Sequence, residues 1–283
     1  MRHSNQLVSL SLCLMASAWA LPTGAETTDC ASITSLPYII TAQGIYCLTG
    51  NLSTSMTTGN AIEIQTNNVT LDLNGYKLGG LGAGDATQAT GIYAYQRKNI
   101  TIKNGIVRGF FVGIMLFDEP PYNTSAGNVV TDILADQNTV GGIAVYGLGN
   151  TVSHNTVVDT GGSTVSSQAG GVYVYGSGAR VVNNEISTTT AQGGSLASGV
   201  FLNGANYCLV QNNTVTDTIK DTGDSYAIYI VNTNGIFLRG NNLAHADNGL
   251  YFYAGSTGKY FNNLTFDVAT PFTGGIPIGP NNN

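Results

Sequence analysis

The sequence predicts an all-β chain: a right-handed parallel β-helix, a solenoid of about eight three-stranded coils with an N-terminal cap. Three observations lead there. A Gly-Ile/Val-x-apolar-aromatic segment returns every 22 to 30 residues between Ala61 and Tyr253, and self-similarity at such a period marks a stacked repeat. Within each copy apolar residues alternate, the period of a strand. Glycine supplies 37 of the 283 residues and charged residues only 9%, a composition of short strands joined by many turns.

Residues 1–25 read as a secretory signal peptide. Arg2 and His3 give a basic start, Leu7 to Ala20 is apolar, and Ala18-Trp19-Ala20 offers a small-x-small cleavage pattern, with the cut after 20 or after 25. Cys13 follows the bulky Leu12, which argues against a lipoprotein signal. A secreted or periplasmic location is the expectation. No other stretch approaches the ~18 apolar residues of a membrane span.

The next segment, 26–60, is assigned to the cap. Its Cys30 and Cys47 are expected to form a disulfide, the usual state of paired cysteines in an oxidising compartment. Cys208 has no partner and sits among apolar residues, so it reads as a buried free thiol.

Residues 61–270 are the expected β-helix. The first strands start at AIEIQ (Ala61), GIYAY (Gly91), GIMLF (Gly113), GIAVY (Gly142), GVYVY (Gly171), GVFLN (Gly199), AIYIV (Ala227) and GLYFY (Gly249). Their inward residues are Ile62, Ile92, Ile114, Ile143, Val172, Val200, Ile228 and Leu250. A second apolar run follows each, as in ITIKN at Ile100, and then a shorter third, as in Gly105-Ile106-Val107. An Asn or near-equivalent precedes most third strands: Asn74, Asn104, Asp132, Asn155, Asn184, Asn213, Asn242 and Asn263. Stacked coil on coil, these are expected to form an amide ladder inside a bend. Right-handedness follows from the rule for parallel crossovers. Residues 271–283 remain as a C-terminal cap and tail.

CASITSLPYIITAQGIYCLTGNL, followed by NAIEIQTNNVTLDLNGYKL, resembles the opening of secreted bacterial right-handed β-helix proteins of the pectate-lyase-like superfamily. The resemblance runs from about Cys30 to Asp267 and implies a fold rather than a reaction. The superfamily includes polysaccharide lyases, glycoside hydrolases, epimerases, tailspikes and adhesins, so function must come from the site.

Alternation sends ten aromatic residues outward from the first strands: Tyr93, Tyr95, Phe117, Tyr146, Tyr173, Tyr175, Phe201, Tyr229, Tyr251 and Tyr253. Such rings on a flat sheet suit sugar stacking or a protein partner. Strand propensity and ring-on-ring packing alone would also place them there. Long excursions at Leu78–Thr90, Asp159–Ala169, Thr188–Ser198 and Asp217–Tyr226, and DEPPYNTSAG from Asp118, are expected to wall this face.

Charges gather at one end. Simple stacking sets Gln96 under Asp118 and Arg97 under Glu119, with Lys98 nearby. Arg97, Lys98, Asp118 and Glu119 are thus the candidate catalytic residues. A lyase needs a cation and a base, and a hydrolase needs paired carboxylates. The expectation is a polysaccharide bound along the aromatic groove, with cleavage by a lyase- or glycoside-hydrolase-like reaction as the enzymatic form of that reading. The alternative is a non-enzymatic adhesin-like protein that docks a protein partner. No polygalacturonase set, epimerase motif or pectate-lyase stretch occurs. No cofactor is implied beyond a weak Ca²⁺ candidate in Asp217, Asp221 and Asp224. Cys/His spacing for zinc is lacking. The chain is acidic, with formal net charge -6, which argues against nucleic acid as a partner.

Overall fold

The computed structural model describes residues 29–281, so the expected signal peptide lies outside the described residues. Within them the alternation does what a coil requires. Ile62 pairs with Ile92, which pairs with Ile114, and the series continues through Ile143, Val172, Val200 and Ile228 to Leu250. Each of these side chains is 0% exposed. A fully buried Val, Leu or Ile contributes about 1.5–3 kcal/mol, so this repeated stack is the main adhesive of the solenoid.

Every coil shows three faces, here called first, second and third in chain order. In one coil the first face is Thr90–Tyr95, and the single strand Ile100–Arg108 forms the other two by bending at Asn104, whose φ is 57°. Its early residues pair with Val69–Asp72 and its late ones with Lys77–Gly79. All pairings are parallel, and strands that turn the corner join the faces into one ladder of 26 strands. The fold is therefore the expected right-handed parallel β-helix.

The N-terminal cap is narrower than 26–60. Tyr38–Ile40, Gly44–Leu48 and Leu52–Ser53 pair in register with the three strands that follow, and so build a full coil of their own. Only Ala31–Ile33 lies beneath, against Gly44–Leu48, where the Cys30–Cys47 disulfide ties it down. At the other end strands continue past residue 270, to Leu264–Thr273 and Ile276–Pro277.

Close approach explains the glycine that opens six of the eight repeats, the other two opening with Ala61 and Ala227. A Cβ on Gly142 would collide with Val157 Cγ1, and one on Gly171 would stand 2.5 Å from Ile186 Cγ2. At these glycines the first face packs against inward residues of the third because the side chain is absent.

The amide ladder exists, displaced from the expected set. It runs Asn155, Asn184, Asn213, Asn241, Asn263 and Asn281, each Nδ2 donating to the next Oδ1 at 2.8 to 3.2 Å. Asn242 is not a rung: its neighbour Asn241 is. Asn74, Asn104 and Asp132 do not join it either, and hold left-handed turns with φ of 55°, 57° and 55°. Their coils place Leu73 and Ile133 inside the bend, both buried. His154 occupies the same left-handed position, hydrogen-bonded to Asn183. Cys208 is a buried free thiol whose Sγ accepts the Ala179 N–H. Burial pushes the thiol up to about 11, so it is no nucleophile at neutral pH.

A candidate binding face of aromatic residues

The outward aromatics form two columns rather than one. Tyr93, Met115, Ala144, Tyr173, Phe201, Tyr229 and Tyr251 stack along the first. Tyr95, Phe117, Tyr146 and Tyr175 begin the second, which continues through Asn203 and Val231 towards Tyr253. Neighbouring rings touch along both. Tyr95 stacks on Phe117 at 5.9 Å between centroids, and Tyr146 on Tyr175 at 4.4 Å.

Two of the ten expected contact residues are largely covered. Tyr173 is 9% and Phe201 8% exposed, packed with Val112 and Ala144 and flanked by Phe111, Met115 and Leu196. They form the footing of the face rather than its contact surface. Tyr226, absent from the expected set, joins it. By parity with Ile228 it should point inward. The first-face pairing skips the residue before the inward Ile, Val or Leu in every coil, however, Gly199 and Ala227 here, and past this repeated break Tyr226 turns out to stack on Tyr229 at 4.3 Å.

The loops do wall one side. Thr164 N donates to Asp85 O, Gln192 N to Ser167 O, and Gly193 N to Asp221 Oδ2. Successive excursions are thus stitched into a continuous rim. On the opposite side the loop from Asp118 to Ser125 tips Tyr122 over Tyr146 and Tyr175, with centroids 6.0 and 5.7 Å away.

That loop also resolves the charged end. Asp118 is fully buried. Its Oδ1 accepts the Glu119 N–H and its Oδ2 accepts those of Thr124 and Ser125, at 2.9 to 3.0 Å. The carboxylate is a loop organiser, engaged by three backbone donors. Residues 119–124 are an insertion, so Arg97 stacks under Ser125 and Ala126, which bond to its carbonyl oxygen, and not under Glu119. Among the described residues no ion pair joins Arg97 to Glu119. Lys98 is exposed and pairs by its backbone with Ala126. Glu119 instead bears on Tyr95, whose phenol is raised by burial first and then by this carboxylate.

The phenols are held protonated. Burial, first of all, raises Tyr146, Tyr173, Tyr175 and Tyr229, and takes Tyr226 up to about 12. For Tyr146 the neighbouring tyrosines add to this. Groups shifted this way are poor bases and good hydrogen-bonding partners at neutral pH.

The weak Ca²⁺ candidate is not assembled. Among the described residues no three His, Cys, Asp or Glu side chains gather as a metal site. Asp217 bonds to His245 at 2.9 Å, while Asp221 accepts the Gly193 N–H. Asp217 and Asp221 are thus engaged by different neighbours in this structure. The most prominent concavity, about 500 Å³, lies on the third face beside His245 and Asp267, away from the aromatic columns. The aromatic site is an open surface.

Fold and site together define a right-handed β-helix carrying an exposed aromatic track. Residues 160–278 match the family described as right handed beta helix region. No curated protein matches in sequence. Among crystal structures, the Dettilon tailspike protein aligns with TM-score 0.56 and 16% identity, over 83% of this chain and 54% of its own. Pectate lyase Pel9A aligns with TM-score 0.53 and 13% identity, over 82% and 69%. PfbA, a surface adhesin of Streptococcus pneumoniae, aligns with TM-score 0.53 and 13% identity, over 80% and 60%. The chain spans about half the length of the tailspike it matches. At these identities the likeness is one of fold. No helix among the described residues is long and apolar enough to cross a membrane.

Proposed function

We propose that this protein is exported and binds a polysaccharide along the aromatic face of its β-helix. The observation that carries the reading is the continuity of the rings. From Tyr95 to Tyr175 each touches the next, with Tyr122 leaning over the row. Such a surface offers a linear ligand one aromatic contact per coil, about every 4.8 Å. Export rests on the basic and apolar N-terminus and agrees with the Cys30–Cys47 disulfide.

Binding is favoured over cleavage. The carboxylate of Asp118 is consumed by backbone donors, and the phenols nearest Glu119 are raised, opposite to what a lyase base requires. Arg97, Lys98 and Glu119 are assigned to the margin of the track as contacts for sugar hydroxyls. Affinity electrophoresis against immobilised polysaccharides tests binding, and release of reducing ends or unsaturated products tests cleavage. Retardation by a glycan, lost on truncation of Tyr175, is the expected result. No retardation by any glycan would leave the rings as a dock for a protein partner.

A further inference from the structure

Acidic groups outnumber cations along the border of the aromatic face. Glu63 holds the outward position one coil before Tyr93, and its field bears on that phenol together with that of Glu119. Glu119 bears on Tyr95 as well. At the far end, Asp224 and Asp247 act on Tyr226. The rim agrees: the stitched loops and the loop from Asp118 to Ser125 carry Asp85, Asp118, Glu119, Asp221 and Asp224 against one cation, Lys220.

Most cations stand elsewhere. Lys103 and Arg108 belong to the second and third faces and are paired with Asp72 and Asp136. Arg180 and Arg239 lie on second-face strands. Lys220 spends its ammonium group on the Asp224 carbonyl. Besides it only Arg97 and Lys98 come near, at one corner beyond Tyr95.

A polymer with a carboxylate on every sugar would have to lie within a screening length, about 8–10 Å, of this acidic border along its whole course. Only Lys220, bonded to the Asp224 carbonyl, and the corner of Arg97 and Lys98 set positive charge against it. A neutral sugar meets no such opposition. It needs an apolar face to stack and hydroxyl partners that both donate and accept, which protonated tyrosines provide.

We infer that the aromatic face takes a neutral glycan and rejects uronate- or sulfate-bearing ones. The inference rests on the proposed glycan-binding reading and narrows its ligand class.

Calorimetric titration with neutral hexasaccharides (cello-, manno-, xylo- and malto-series) and with hexagalacturonate, at low and raised salt, tests it. At least one neutral series should bind with an affinity indifferent to salt. Hexagalacturonate should bind about tenfold more weakly or worse, and improve as salt screens the border. The triple variant Glu63→Gln, Glu119→Gln, Asp224→Asn should narrow the gap. Tighter binding of hexagalacturonate than of every neutral series, weakening with salt, would overturn the inference and leave the glycan reading intact. Absence of binding by both kinds would overturn both.

Discussion

The rings of Tyr146 and Tyr175 lie 4.4 Å apart and within 2° of parallel, one coil above the other. The two phenols also bear on each other's ionisation, after the larger effect of burial. Two side chains on successive coils thus act as one flat platform, with Tyr122 tilted across both. An aromatic contact of this kind is worth about 0.5–1.5 kcal/mol.

Tyr175→Ala removes the platform at its middle. Glycan affinity should fall about 2- to 12-fold, the range that energy converts to. Tyr175→Phe keeps the stack and loses only the hydroxyl, so a smaller loss is expected. Titration calorimetry on both variants checks this. Unchanged affinity in the alanine variant would mean the rings merely pack strands.

Alkaline pH should expose the buried phenols' cost of ionising. Unfolded tyrosines ionise near pH 10, whereas those of Tyr146 and Tyr173 are raised chiefly by burial. The stability they supply is complete below pH ~10 and is lost as pH rises through their folded values. Phenolate absorbance followed alongside circular dichroism should show a group of tyrosines that ionise only as the strand signal disappears. Complete ionisation with the fold intact would contradict the burial.

Asp118→Ala should behave as a folding mutation of its loop. It strips an acceptor from the N–H groups of Glu119, Thr124 and Ser125. Unpaired buried donors cost about 1–3 kcal/mol each. Melting temperature should drop, and amide exchange should quicken across residues 119–125 more than elsewhere. A variant with wild-type melting and exchange would return Asp118 to the list of candidate catalytic groups.

Asn213→Ala removes a rung from the middle of the ladder. It leaves the Asn184 N–H and Nδ2 and the Val181 carbonyl without their partner, all of them inside the bend. A loss of about 1–3 kcal/mol is expected, read as a lower urea midpoint. Asn74→Ala, in a turn outside the ladder, should cost less than Asn213→Ala. The reverse order would show that the amide column is not what stabilises the bend.

Much of the fold was legible because its signals are local. Alternation at Ile92 and Ala94 or Val172 and Val174 needs only a period of two, and the glycine before each needs only a close neighbour. The site was harder because it depends on register carried through irregularities. A pairing skipped before the inward residue of every coil turns Tyr226 outward against its parity, and one insertion separates Arg97 from Glu119. The ladder was misplaced by a single residue at Asn241, since both asparagines of Gly240-Asn241-Asn242 suit a bend and only stacking shows which one points in. The covering of Tyr173 and Phe201 comes from Phe111 and Leu196, which belong to other segments. Asp118 could have been suspected: an acid before Pro-Pro and a Thr-Ser pair is a residue type that ties loops through backbone N–H groups.

The amide column has a polarity as well as a position. From Asn155 to Asn263 each rung turns its oxygen towards the preceding coil and gives one Nδ2–H to the next, the amide nitrogen also reaching a backbone carbonyl of the preceding coil. Small dipoles aligned head to tail in this way add rather than cancel, and each hydrogen bond polarises its neighbours. The all-parallel solenoid therefore carries along its axis a directional electric character of the kind usually associated with an α-helix. Its positive end lies towards the last coil, where the Nδ2 group of Asn281 closes the series on the carbonyl of Gly279.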